Sequence, residues 1–250
     1  MLRGIVKFHA RIVEVDKEVT FPMIEFSPNE PGVGKVEIEG TKGNEILTVV
    51  HLTGVDSPTE GMAIATKVHM AALDLISFRY DIALENGRVI ESEFSPIDPP
   101  PPGEYRITPA TGYHFIDGQD VKFMRSLSSE RLKTELEQPT PPGARNFGLF
   151  RSALLSTSPV EKFMHLYNIL LMFFDDKQTG VDEFILGENR SVPLTPHPHI
   201  KNRLETVYTR LRNEFGHQRR GVNLDDTKAE MKKRLGELIG LTKRAIELFS

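Results

Sequence analysis

Two proline-rich breaks divide this chain more sharply than any other feature of its sequence. The first contains Pro96, four consecutive prolines at 99–102 and Gly103, and the second reads Pro139-Thr140-Pro141-Pro142-Gly143. Proline fixes φ and lacks an amide N–H, so neither a helix interior nor a central strand runs through such a segment. The sequence therefore predicts a connector with short elements at residues 99–145, between a first domain at 1–98 and a last domain at 146–250.

Residues 1–98 are predicted to form a β-rich α+β domain. Apolar residues mostly alternate here in short runs bounded by turn residues, which indicates strands. The capping box Ser57-Pro58-Thr59-Glu60 precedes apolar residues at helical spacing and predicts one helix among the strands. The pair Asn86-Gly87 suits a tight turn and predicts a hairpin around it. The predicted strands cover residues 5–15, 19–26, 36–38, 46–52, 78–84 and 89–94.

After Gly143 the apolar residues recur at helical spacing instead of alternating. This pattern predicts an all-α helical bundle at 146–250. A second capping box, Ser158-Pro159-Val160-Glu161, opens a long apolar helix. The other predicted helices lie at 180–186, at 200–215 with Gly216 as the C′ residue that ends it, and from Asn223 or Asp226 onward. The connector is predicted to hold a strand or hairpin near 105–115 and a helix at 128–136.

Composition excludes several classes of protein. With 39% hydrophobic and 26% charged residues in 250, the chain is neither disordered nor fibrous. The lack of cysteine excludes disulfides, thiolate metal sites and a thiol nucleophile, and it suits a reducing compartment. No apolar segment typical of a signal peptide opens the chain, and its longest apolar run, 169–174, is too short to span a membrane. We therefore expect a cytoplasmic protein without a membrane partner.

Charge is distributed unevenly along the chain. The net charge is −4, yet residues 201–250 carry +5 and the remainder −9. A basic end on an acidic protein is a weak indication of a polyanionic partner. Two solvated helix faces, with cations near helix C-termini, explain most of the same excess.

One segment of the predicted bundle combines arginine, amide and imidazole side chains. Arg212 and Asn213 precede His217, and Arg-to-His spacings of this kind also occur elsewhere in the chain by chance, so the helical context selects this one. The segment resembles the signature of HEPN domains, helical bundles that commonly dimerise and in many members cleave RNA without a metal. The resemblance covers about residues 145–250. With a β-rich N-terminal domain, the chain resembles Apea-like defence proteins and the MauJ proteins found with methylamine utilisation genes.

The resemblance implies a catalytic role for three residues and RNA contacts for three more. His217 would exchange protons with the RNA 2′-hydroxyl, Arg212 would grip the phosphate, and Asn213 would orient the imidazole or a phosphate oxygen. This chemistry requires no metal and no cofactor. The residues implied to hold flanking phosphates are Arg210, Arg219 and Arg220.

Helix geometry restricts how Arg212 and His217 could act together. Residues five apart on a continuous helix differ by about 140° in direction, so the two side chains would not share a face. They meet only if the helix ends at Gly216, or if two protomers pair across a symmetric interface. The alternative interpretation is that both simply satisfy carbonyls at a helix C-terminus.

Two functions follow from these alternatives. The first is a metal-independent endoribonuclease of HEPN type in defence or toxin-like regulation, with the N-terminal domain as sensor or regulator. The second is a non-catalytic accessory or interaction protein, MauJ-like, with a HEPN-like dimerisation bundle. Burial of His217 against its own helix would favour the second. In either case we expect a homodimer through the bundle. RNA is the candidate partner. The sequence does not identify the ligand or protein that the N-terminal domain would bind.

Overall fold

The structure, a computed structural model, describes residues 1–13, 17–41, 44–97, 123–126, 128–138, 144–217 and 221–250. It confirms the predicted α+β class, with a β-sheet first and helices after it. The chain divides into an N-terminal unit, Met1–Pro141, and a C-terminal unit, Pro142–Ser250.

The N-terminal unit is built on a six-stranded sheet. Its described elements are β1 (Leu2–Arg11), β2 (Lys17–Phe26), β3 (Val33–Thr41), β4 (Glu45–Val55), α1 (Pro58–Tyr80), β5 (Arg88–Pro96), β6 (Phe123–Ser126) and α2 (Ser129–Glu137). The strand order is β5-β1-β4-β3-β2-β6. Five strands pair antiparallel, and the short β6 joins β2 in parallel at one edge. Helix α2 lies against β2.

Alternation along the strands produces one apolar face, and α1 covers it. In register across the sheet, Val6, Val50 and Val36 are fully buried, whereas their sequence neighbours on the opposite face are half-buried. The capping box that predicted α1 is confirmed: the Ser57 hydroxyl accepts from the Glu60 N–H at 3.1 Å. The predicted helix at 128–136 is also confirmed, as α2.

The hairpin predicted around Asn86-Gly87 is wrong, because the strand predicted at 78–84 is not formed. Helix α1 continues to Tyr80 and ends at Asp81, whose φ of 56° is left-handed, while β5 pairs with β1 instead. The segment misleads because Phe78 and Tyr80 are buried in the last helical turn, and Ile82 and Leu84 are buried just after it. Tertiary contacts therefore produce an alternating pattern without a strand.

By length and composition, α1 could also cross a membrane. Half of its most apolar window is buried in the structure, and the core helix of a soluble protein passes the same test. The apolar character of α1 is accounted for by the sheet that it covers.

The C-terminal unit is mainly helical. Its described elements are α3 (Ala144–Leu155), α4 (Pro159–Phe173), α5 (Gln178–Glu188), β7 (Leu194–Pro196), β8 (Leu204–Thr206), α6 (Val207–Gly216) and α7 (Leu224–Phe249). Helix α4 packs against α3, α6 and α7. The core of the unit contains Phe163, Tyr167 and Tyr208, all fully buried. The second capping box is confirmed at Ser158, and Asn223 caps the last helix as predicted.

Two details of the predicted bundle are wrong, and a third lies outside the described residues. The helix predicted at 200–215 begins only at Val207, because the preceding residues form the β7–β8 hairpin, with Ile200 and Leu204 exposed. Gly216 is the last residue of α6 rather than a left-handed C′ residue. The strand or hairpin predicted near 105–115 belongs to the part of the chain that is not described.

Gly61, in the N-terminal turn of α1, gives a first testable prediction. A Cβ here would lie 2.5 Å from Cε1 of Phe94 and 3.1 Å from Cδ1 of Leu52. Alanine usually favours a helix over glycine by about 1 kcal/mol, but overpacking costs about 1–3 kcal/mol. We expect Gly61→Ala to lower the free energy of unfolding by about 1 kcal/mol in urea titrations followed by circular dichroism.

The matched control is Gly236→Ala in α7. No atom lies within 4 Å of a Cβ built at Gly236, so helix propensity acts alone. This substitution is expected to raise the free energy of unfolding by about 0.5–1 kcal/mol. An increase for Gly61→Ala as well would contradict the close packing of Phe94 on α1.

Candidate functional site

The end of α6 brings Arg212 and His217 into contact. The helix stops at Gly216, and His217 follows as its C-cap with φ of −111°. From there the imidazole turns back, so that its Nε2 lies 2.9 Å from Nη1 of Arg212. His217 is exposed and Arg212 is half-buried. The contact thus forms within one protomer because the helix ends, as the geometric argument required.

The chemistry of Arg212 determines which atom carries the proton in this contact. A guanidinium only donates hydrogen bonds, so Nε2 of His217 must be the acceptor. A neutral imidazole that accepts at Nε2 carries its proton on Nδ1. The hydrogen-bond network therefore assigns the Nδ1–H tautomer to His217.

Asn213 lies under this pair and is only 3% exposed. Its amide oxygen accepts from Nη1 of Arg212 at 3.1 Å and from Nε2 of Gln178 at 2.8 Å. Its amide nitrogen donates to Oε1 of Gln178 at 3.1 Å and to Oε2 of Glu205 at 3.3 Å. Asn213 thus joins α6 to α5 and β8, and its amide oxygen also contacts Arg212.

A second buried polar cluster centres on Asp182 of α5. Its Oδ1 accepts from the Thr206 N–H at 3.1 Å, the Thr206 hydroxyl at 2.7 Å and the Thr209 hydroxyl at 2.5 Å. The Tyr167 hydroxyl lies 2.7 Å from that of Thr209. Burial raises the pKa of Asp182 above its ordinary value, although the hydrogen bonds from Thr209 and Thr206 oppose that shift. The cluster anchors the N-terminus of α6, where Thr206 is the N-cap.

Of the three arginines predicted to hold flanking phosphates, the structure describes Arg210, whose guanidinium is bound by two carboxylates. Nη1 of Arg210 donates to Glu214 at 2.8 Å, and Nη2 donates to Glu230 of α7. The Glu214 carboxylate also accepts from the Thr227 hydroxyl at 3.0 Å. Arg210 therefore joins α6 to α7 through two carboxylates. Arg219 and Arg220 lie outside the described residues.

This arrangement predicts a structural effect for Arg210→Ala. Glu214 is only 8% exposed. Without Arg210, its carboxylate would lose a charged hydrogen-bond partner at a position that little water can reach. We expect the free energy of unfolding to fall by about 2 kcal/mol, measured by urea titration. With Glu214→Gln in the background, Arg210→Ala should have a smaller effect. Unchanged stability of the single variant would show that the ion pair does not hold the two helices.

Sequence reasoning missed the residues of other elements that hold α6 in place. Gln178 and Asp182 are 35 and 27 positions away from Asn213 and Thr209, their partners. No local pattern links residues at such separations. One signal was available: Thr206 followed by Thr209 marks an N-cap, and it would have placed the start of α6 correctly.

Among the described residues, no three His, Asp or Glu side chains are grouped so that they could hold a metal ion. The N-terminal unit has a cleft of about 320 Å³, lined by apolar residues that include Phe26, Val68 and Leu136. An ion pair borders it, with both carboxylate oxygens of Glu30 at 2.8 Å from Nζ of Lys67. By volume, this cleft suits a small molecule.

Comparisons with known proteins add no relative to this picture. No family model, no curated protein and no solved structure matches the chain.

Proposed function

We propose that the C-terminal unit is a metal-independent endoribonuclease of HEPN type, with the N-terminal unit as its sensor or regulator. The observation that carries this proposal is the 2.9 Å contact between Arg212 and an exposed His217. An anion-binding group and a proton-transfer group are thus adjacent at the surface, as phosphodiester chemistry requires. Exposure of His217 also opposes the alternative in which it is buried against its own helix.

The proposed reaction is a transesterification within the RNA strand. The 2′-hydroxyl attacks the adjacent phosphorus, the bond to the 5′-oxygen breaks, and a 2′,3′-cyclic phosphate and a 5′-hydroxyl are formed. His217 accepts the proton of the 2′-hydroxyl, and the leaving 5′-oxygen takes up a proton from water or from the protonated His217 of a second protomer. Arg212 stabilises the charge that develops on the phosphate. Because phosphate contacts carry no sequence information, base preference must arise elsewhere.

Substrate binding would also prepare His217 for its role. In the structure, Nη1 of Arg212 donates to Nε2 of His217, the atom that must accept a proton. An anionic phosphate oxygen is a stronger acceptor for a guanidinium than a neutral imidazole is. A bound phosphate would therefore replace Nε2 as the acceptor for Arg212 and leave the Nε2 lone pair free, while Asn213 keeps Arg212 beside the site.

The proposal includes a homodimer through the helical bundle. Two symmetry-related His217 side chains could then divide the acid and base roles, as a symmetric interface permits. The cleft of the N-terminal unit would be the place where a small-molecule signal binds. Light scattering tests the dimer, since a strict monomer removes the shared-site form of the mechanism.

The decisive experiment is cleavage of a labelled, structured RNA pool in the presence of EDTA. We expect cleavage that leaves 2′,3′-cyclic phosphate and 5′-hydroxyl ends. Absence of cleavage by folded protein, across RNA pools and candidate activators, would favour the non-catalytic accessory function, in which Arg212 and His217 only complete the end of α6.

A further inference from the structure

Asn213 has no hydrogen-bonding capacity left for a substrate. A primary amide offers two N–H donors and two acceptor lone pairs. Gln178 and Glu205 take the two donors, while Gln178 and Arg212 take the two lone pairs. The sequence-based prediction gave Asn213 a role in orienting the imidazole or a phosphate oxygen. Its contacts instead direct it to Arg212.

The orientation of both amides follows from the chemistry of Arg212. Because a guanidinium only donates, the atom of Asn213 that faces Arg212 must be the amide oxygen. Gln178 must then donate its Nε2–H to that oxygen, at 2.8 Å, and accept from the Asn213 nitrogen with its own oxygen, at 3.1 Å. The reciprocal pair has no second arrangement that satisfies Arg212.

We infer that Gln178 is a positioning residue whose amide pair with Asn213 holds Nη1 of Arg212 on Nε2 of His217. Gln178 is the first residue of α5, so the pair ties the end of α6 to a separate helix. The meaning of this contact for catalysis rests on the proposed function. The contact itself can be measured without RNA.

The tautomer of His217 reports this positioning. The hydrogen bond made by one ring nitrogen sets which nitrogen carries the proton. Without Gln178, Glu205 is the remaining partner of the Asn213 amide on another element, so the amide oxygen is held less firmly. Arg212 then loses a fixed acceptor, and Nε2 of His217 loses its donor. An exposed imidazole then returns to the Nε2–H form that neutral histidine favours in water.

The experiment is long-range ¹H–¹⁵N correlation NMR of the imidazoles in the ¹⁵N-labelled full chain, at about pH 8, where histidines are ordinarily neutral. The wild type should show the Nδ1–H pattern for His217. Arg212→Ala and Gln178→Ala should both shift it towards Nε2–H. The matched control, Thr179→Ala at the exposed neighbouring position of α5, should keep the wild-type pattern.

Retention of the Nδ1–H pattern by natively folded Gln178→Ala would overturn the inference, and so would its retention by Arg212→Ala. Circular dichroism establishes the fold. If Gln178→Ala does not fold, Gln178→Glu takes its place, because it keeps the side-chain size and replaces the Nε2 donor by a carboxylate oxygen. The same shift towards Nε2–H is expected for it.

An activity measurement separates this inference from the proposed function. Misplacement of Arg212 is expected to lower kcat/KM for RNA by about 10- to 100-fold in Gln178→Ala, with no change in Thr179→Ala. If the wild type does not cleave RNA but Gln178→Ala shows the tautomer shift, the nuclease is contradicted and the positioning role of Gln178 is established. If the wild type cleaves RNA but the variants show no tautomer shift, the nuclease is supported and the positioning role of Gln178 is contradicted.

Discussion

Alanine at position 217 is expected to lower the rate of RNA cleavage by about 10²- to 10⁴-fold, the usual contribution of a general acid–base group. Arg212→Ala is expected to lower it by about 10²- to 10³-fold, because a preorganised donor to the developing phosphate charge is lost. The rates are measured in EDTA on a labelled RNA, with the products analysed for 2′,3′-cyclic phosphate. Both variants should fold normally, since His217 is exposed and Arg212 is only half-buried.

Matched controls exist for both substitutions in the same unit. Arg190 and His199 are exposed residues of the same two types. Arg190→Ala and His199→Ala should cleave RNA at the wild-type rate. Equal loss in the controls, or full activity of Arg212→Ala and His217→Ala, would assign any observed cleavage to another site or to a contaminating nuclease.

The largest effect on stability is expected at Asp182. Asp182 is 6% exposed, and its Oδ1 is the common acceptor for donors from Thr206 and Thr209, both fully buried. Each buried donor left without an acceptor costs about 1–3 kcal/mol, and partial relaxation limits the sum. We expect Asp182→Ala to lower the free energy of unfolding by about 3 kcal/mol, measured by urea titration. Asp182→Asn keeps an acceptor oxygen and should lose less.

The comparison of wild type with Asp182→Asn should depend on pH. Burial raises the pKa of Asp182 in the folded state above its ordinary value of 3.8. The folded protein therefore holds this proton at pH values where the unfolded chain has released it, so the contribution of Asp182 to stability falls as pH rises through that window. As pH is lowered from neutral towards 4, the melting temperature of the wild type should rise relative to that of Asp182→Asn. A constant difference would show that burial does not shift this carboxyl.

Local signals predicted the starts of several helices correctly. At Ser57 and Ser158 the cap lies three residues from the N–H it satisfies, so the whole interaction is contained in a short stretch of sequence. The same holds for Asn223, whose side chain accepts from the N–H of Asp225 at 3.0 Å. Segments of this kind depend little on what packs against them.

Tertiary contacts determine the conformation of two segments that the apolar pattern predicted wrongly. Residues 78–84 alternate because contacts with the sheet enclose a helix end and the chain after it, and residues 200–206 form a turn and strand although their apolar spacing suits a helix. Apolar spacing alone does not show which residues are buried, since Ile200 and Leu204 are exposed, and two conformations can share one spacing.

For the candidate site, the sequence by itself determined the residue types and the condition for their meeting. Arg212 and His217 share one helix end, so the termination of α6 near Gly216 is enough to bring them together. Only the tertiary structure decided what holds them, because Gln178 arrives from α5 and Glu205 from β8. Hydrogen bonds between distant segments depend on how the elements pack, and no spacing along the chain encodes that packing.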